Sequence, residues 1–93
     1  MANDREPHWH RVLEHVSKYP REQLEFSAPW ELTQDGISDA VGITRAHVAL
    51  VLKNLVARGQ VESYLAHVRG CGRRRKVYRV THSGYRVTRG KYF

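Results

Sequence analysis

Two threonine–glycine pairs constrain this chain more than any other feature. Thr33 precedes and Gly42 follows the stretch Gln34 to Val41, while Thr44 and Gly59 bracket a second stretch that runs to Arg58. A threonine hydroxyl accepts a backbone N–H from a helix's first turn, and glycine takes the left-handed conformation that closes the last. Each pair therefore marks both ends of a helix. Ile37, Ala40 and Val41 form the apolar edge of the first helix, and Val48, Val51, Leu52 and Leu55 recur three and four apart on the second. Only Gly42-Ile43-Thr44 separates the two, so the sequence predicts a helix, a three-residue turn and a helix.

The flanking segments extend this unit. Trp9, Val12, Leu13, Val16 and Tyr19 share one helical face, with Pro7 suited to the first turn and Pro20 ending the run. Arg21 to Pro29 has no clear period; Leu24, Phe26 and Trp30 are expected in a loop or in a short strand ending near Leu32, and Trp9 and Trp30 in core or domain-edge packing. Gln60 to Val68 and Lys76 to Thr81 have strand composition, and the residues between them make a hairpin. Thr81-His82-Ser83-Gly84 caps or turns into a last segment with at most one turn of helix, where Tyr85 and Val87 fold back on the core and residues 88–93 fray. The predicted fold is α+β: a winged helix-turn-helix of three helices plus a two- or three-stranded antiparallel hairpin. A single domain spans 1–93, with its core at about 8–87, the helix-turn-helix at 33–58 and the wing at 60–81.

Size and charge bound the function. A chain of 93 residues with 41% apolar content builds one core. It has no apolar run of 18 residues and a polar N-terminus, which leads us to expect a cytoplasmic protein with no membrane partner. Its one cysteine, Cys71, forms no internal disulfide and has no C-x-x-C partner, as suits a reducing setting. Residues 1–43 hold four Lys/Arg against eight Asp/Glu, a net −4; residues 44–93 hold twelve against one, a net +11. Such segregation is the electrostatic footprint of a nucleic-acid binder. A membrane surface fits poorly, because no segment pairs a basic face with a broad Trp/Phe/Leu face. The charge peaks in Arg69-Gly70-Cys71-Gly72-Arg73-Arg74-Arg75-Lys76, with five cations and no acid. Three consecutive arginines repel one another unless water or a polyanion surrounds them.

Other chemistries find little support. His8 and His10 stand two apart, whereas helical metal pairs stand three or four apart, and His15, His47, His67 and His82 are scattered. No metal or other cofactor is expected. Without a G-x-S-x-G, a P-loop or a cysteine close to a base in sequence, neither is enzymatic activity.

The segments Thr33-Gln34-Asp35-Gly36-Ile37, Gly42-Ile43-Thr44-Arg45-Ala46-His47-Val48, Leu52-Lys53-Asn54-Leu55, Arg58-Gly59-Gln60-Val61 and Gly72-Arg73-Arg74-Arg75-Lys76-Val77-Tyr78 resemble archaeal winged-helix DNA-binding regulators of MarR-like type, over about residues 8–87. The resemblance implies that the helix from Thr44 to Arg58 enters the major groove of double-stranded DNA with its N-terminal residues nearest the bases. Arg45 then matches guanine bidentately, His47 reaches a base or a phosphate, and Thr44, Lys53 and Gln34 fix the backbone, with Ala46 on the same turn. Arg69, Arg73, Arg74, Arg75 and Lys76 grip the adjacent minor groove or its phosphates. The implied function is sequence-specific or semi-specific DNA binding, as a transcriptional regulator or the DNA-binding part of one.

The chain departs from such helices at Ala49-Leu50, where a polar residue is usual. Leu50 is core if the helix is rotated; if exposed, it can touch a thymine methyl but cannot hydrogen-bond a base. The same residues suit an alternative, a winged helix that docks on another protein or domain of a larger assembly. MarR-type dimers use long helices at both chain ends. Here little after Gly84 is expected to supply the second, leaving a monomer, a modest homodimer through the first helix, or a fragment of a longer protein.

Overall fold

The computed structural model describes residues 7–19 and 27–90. Helix α1, His8–Ser17, starts from an extended Pro7 (φ −66°, ψ 150°) and buries Val12, Leu13 and Val16 completely. The expected stop at Pro20, the loop with Leu24 and Phe26, and the end at 91–93 lie outside the described residues. A single 3-10 turn, Trp30–Leu32, leads into α2, Gln34–Val41. Thr33 joins them. Its hydroxyl donates to the Trp30 carbonyl at 2.6 Å and accepts the Gly36 N–H at 3.1 Å, so one side chain closes the turn and caps the helix. A Cβ at Gly36 would lie 2.1 Å from the Trp30 carbonyl oxygen, so this approach requires glycine.

Gly42 takes the left-handed conformation (φ 80°, ψ 32°), and Ser38 Oγ donates to the Ile43 carbonyl at 2.5 Å across the turn. Thr44 then caps α3, Arg45–Ala57, by accepting the His47 N–H at 3.2 Å. Between α2 and α3 the chain bends by 108°, within the range of helix-turn-helix units. Ile37, Val48, Leu52 and Leu55 meet α1 in the core with at most 1% exposure. Each contributes roughly 1.5–3 kcal/mol relative to an exposed side chain.

Strands β1, Val61–His67, and β2, Arg74–Val80, pair antiparallel from Val61↔Val80 to His67↔Arg74. Arg74 and Arg75 are thus strand residues, and the turn is shorter than the sequence suggests. Two isolated bridges tie the hairpin down, Ala28↔Val68 in parallel and Thr33↔Val77 antiparallel. Cys71 is half-buried against the core rather than exposed at the wing tip.

The largest departure from expectation follows Thr81. Instead of one turn, a nine-residue helix α4, His82–Gly90, packs against α1 and β2. Thr81 Oγ1 accepts the Gly84 N–H at 3.1 Å and donates to the Gly59 carbonyl at 2.6 Å, which fixes the first turn. Gly84, which reads as a turn residue, instead allows close packing: a Cβ there would sit 2.0 Å from the Gln60 carbonyl oxygen. Among the described residues the fold therefore has four α-helices and a two-stranded hairpin, and both ends of the described chain are helical and adjacent. No single helix among the described residues is long and apolar enough to cross a membrane.

Candidate nucleic-acid interface

Burial of Val48, Val51, Leu52 and Leu55 turns the opposite side of α3 outward. Arg45, Ala46, His47, Ala49, Leu50 and Lys53 are all exposed, Leu50 at 64%. The helix is not rotated to bury Leu50. The hairpin stands beside this face, and alternation along β2 puts Arg74 and Lys76 with Tyr78 on one side of the strand and Arg75 with Val77 on the other.

A cleft between α3 and the hairpin is lined by Ala49, Lys53 and Val56 on the helix and by Ser63 and Lys76 on the strands, with Gln34 at its head. An adjoining hollow at the edge of β2 is bordered by Asp35, Arg45, Arg75 and Lys76. The two hollows bring cations from two elements, α3 and β2, to one side of the molecule. Leu65, 68% exposed and paired across the sheet with Lys76, adds an exposed apolar group that sequence reading missed.

Several predicted contact residues are already engaged. Gln34 Nε2 donates to the Arg45 carbonyl at 3.0 Å and pins α2 to the start of α3. The Arg45 guanidinium lies against Asp35 as a contact of charge; the Nε–H is not aligned for a hydrogen bond, and Asp35 Oδ1 has no hydrogen-bond partner among the described residues. His47 Nε2 stands 3.1 Å from Nδ1 of His8, the first residue of α1, with the rings edge to face. One ring nitrogen must donate and the other accept. The Thr44 hydroxyl is occupied as a cap. Asp35 and His8 therefore position the Arg45 and His47 side chains at the start of α3, although neither shows in the sequence, because each lies ten or more residues from the side chain it holds.

On the wing, Arg69 is anchored, its Nε donating to Ser27 Oγ at 3.3 Å. Arg73, Arg74, Arg75 and Lys76 are exposed. Lys76 lies over the Tyr78 ring, 5.9 Å from its centre. At the hairpin base Arg79 donates to Glu62 at 2.5 Å and stacks over Tyr64, 4.5 Å from the ring centre. The Tyr64 hydroxyl is screened from water without a hydrogen-bond partner among the described residues. Burial pushes its pKa above the ordinary 10.0, the Arg79 cation opposing and the Glu62 carboxylate adding to the shift. Among the described residues, no group of three or more His, Cys, Asp or Glu is placed to hold a metal.

Comparison with solved structures decides the architecture. MepR of Staphylococcus aureus in complex with DNA aligns with a TM-score of 0.71 at 21% identity, over 96% of this chain and 63% of that one. The fold is a winged helix-turn-helix. MepR described as a transcription regulator of the multidrug efflux pump MepA aligns at 0.66 and 22% identity, over 96% and 56% of the two chains. MepR bound to ethidium bromide aligns at 0.63 and 23%, over 92% and 54%. These neighbours are MarR-family regulators. The present chain spans less than two-thirds of their length, and at this identity the likeness establishes the fold alone. No protein-family model and no curated protein sequence matches the chain.

Proposed function

We propose that this winged helix binds double-stranded DNA, sequence-specifically or semi-specifically, as a cytoplasmic, non-enzymatic transcriptional regulator or the DNA-binding part of one. In this reading α3 lies in the major groove, the hairpin rests on phosphates or in the minor groove, and the cleft between them seats the intervening backbone. A helix fits the major groove of B-DNA but not the narrow one of A-form RNA. The observation that carries the reading is the exposed row Arg73, Arg74, Arg75 and Lys76 beside an outward helix face that holds Lys53 and no acid. MepR, which shares the fold, has been solved with DNA. The archaeal kinship rests on the sequence motifs.

Fluorescence anisotropy with a mixed-sequence duplex tests the reading. About five to six phosphate contacts give a log–log salt slope of roughly −4.5 to −5.5, and Arg74→Glu abolishes most of the binding at low salt. A flat salt dependence would refute it. The 64% exposure of Leu50 favours a second reading, docking on another protein or domain; that reading gains if neither the native chain nor Arg74→Glu binds duplex. A homodimer through α1 now has α4 beside it to draw on, and sedimentation tests that arrangement.

A further inference from the structure

Where the major-groove reader of a DNA-binding protein is expected to carry free hydrogen-bonding side chains, α3 carries an apolar strip. Ala46, Ala49, Leu50 and Lys53 are spaced at three, four and seven residues, so they share the face opposite the buried stripe. Leu50 is its most prominent apolar group at 64% exposure. The polar neighbours that would otherwise read base edges are turned aside: Gln34 to the Arg45 carbonyl, Arg45 towards Asp35, and His47 to His8. The strip ends in Lys53 on α3 and faces Lys76 on the hairpin, and α3 contains no acid. That charge suits an apolar feature embedded in a polyanion. The floor of the major groove offers one apolar feature, the C5-methyl group of a pyrimidine.

We infer that α3 selects DNA through pyrimidine C5-methyl groups, seated against Leu50 with Ala46 and Ala49, rather than mainly through hydrogen bonds to bases. The inference rests on the DNA-binding reading above. Two sources present the group at the same place in the groove, thymine and 5-methylcytosine, and the chemistry of the strip is the same for both.

The test uses the native chain and one mixed-sequence duplex made in three forms: with thymine, with uracil replacing thymine, and with uracil together with 5-methylcytosine replacing cytosine. Each methyl group buried against the strip changes affinity by about fourfold. Weaker binding to the uracil form supports the inference with thymine as the source; recovery in the third form supports it with 5-methylcytosine. Leu50→Ala, at an exposed site where folding is spared, should shrink either difference. Equal affinity for all three forms overturns methyl recognition while leaving DNA binding intact. An undiminished ratio in Leu50→Ala also overturns it, since the preference would then come from duplex shape. Binding to none of the three overturns the DNA reading itself and leaves the strip to a protein partner.

Discussion

At the corner between α2 and α3, Gln34, Ser38, Arg45 and His47 are each held by another part of the molecule, whereas on the wing Arg73, Arg74 and Arg75 have no acidic partner among the described residues. The corner commits its polar groups to geometry. It fixes the angle and register of α3 but leaves few donors for an outside ligand. The wing keeps its charge in water, where mutual repulsion is screened and no desolvation is incurred. On the proposed DNA-binding reading, the polar groups that fix the fold and those that supply affinity are thereby separated in space, the first in the corner and the second in the hairpin.

That separation can be broken at several points. The largest effect should come from Gly36→Ala, whose added Cβ meets the Trp30 carbonyl: about 3 kcal/mol of stability is lost, read from the denaturant midpoint. A loss under about 1 kcal/mol would show that α2 moves off the turn freely. Replacing Arg73, Arg74 and Arg75 together with alanine should weaken DNA binding about 100-fold at low salt, close to 2.7 kcal/mol, and flatten the salt slope by about 0.9 for each phosphate no longer neutralised. The melting temperature should hardly change; an equal fall in stability would erase the distinction between the two regions. Thr44→Ala should cost about 1 kcal/mol through loss of the cap and weaken binding as the first turn of α3 frays. Asp35→Asn releases Arg45, whose own side chain is largely exposed, so stability should shift by less than about 1 kcal/mol while DNA affinity rises about threefold.

The smallest effect concerns Tyr64. Its buried hydroxyl has no partner among the described residues, so Tyr64→Phe should be neutral or stabilising by up to ~1 kcal/mol at pH 7. Because the folded pKa is raised, the neutral phenol's contribution is complete below the ordinary 10.0 and is lost as pH climbs through the higher folded value. Thermal melts of the variant should therefore decline less steeply between pH 10.0 and the folded value than those of the native chain.

Most of the scaffold is legible where the signal is local. The caps at Thr33 and Thr44 and the left-handed Gly42 stand where short-range hydrogen-bonding logic puts them. Helix α4 is not legible in this way, since its first turn depends on Thr81 reaching Gly59 and on Gly84 lying against Gln60, approaches between residues more than twenty positions apart. The extent of β2 is equally a tertiary outcome: arginines are poor evidence for a strand until Leu65, Ala66 and His67 present a ladder to pair with. On the interface, composition identifies the cations but not which of them are restrained. Arg45 and Arg74 look alike in sequence, and only the folded chain places Asp35 beside the first.

Thr33 closes the 3-10 turn, caps α2 and bridges to Val77 in β2. Helix α2, which Gln34 pins to the start of α3, and the ribbon of the hairpin thus meet at a single residue, and on the proposed DNA-binding reading the spacing of α3 and the hairpin behaves as a fixed caliper. On that reading a duplex seated on this face would be measured for pitch as well as for base sequence, so under- or over-wound DNA should be discriminated even when every base is unchanged.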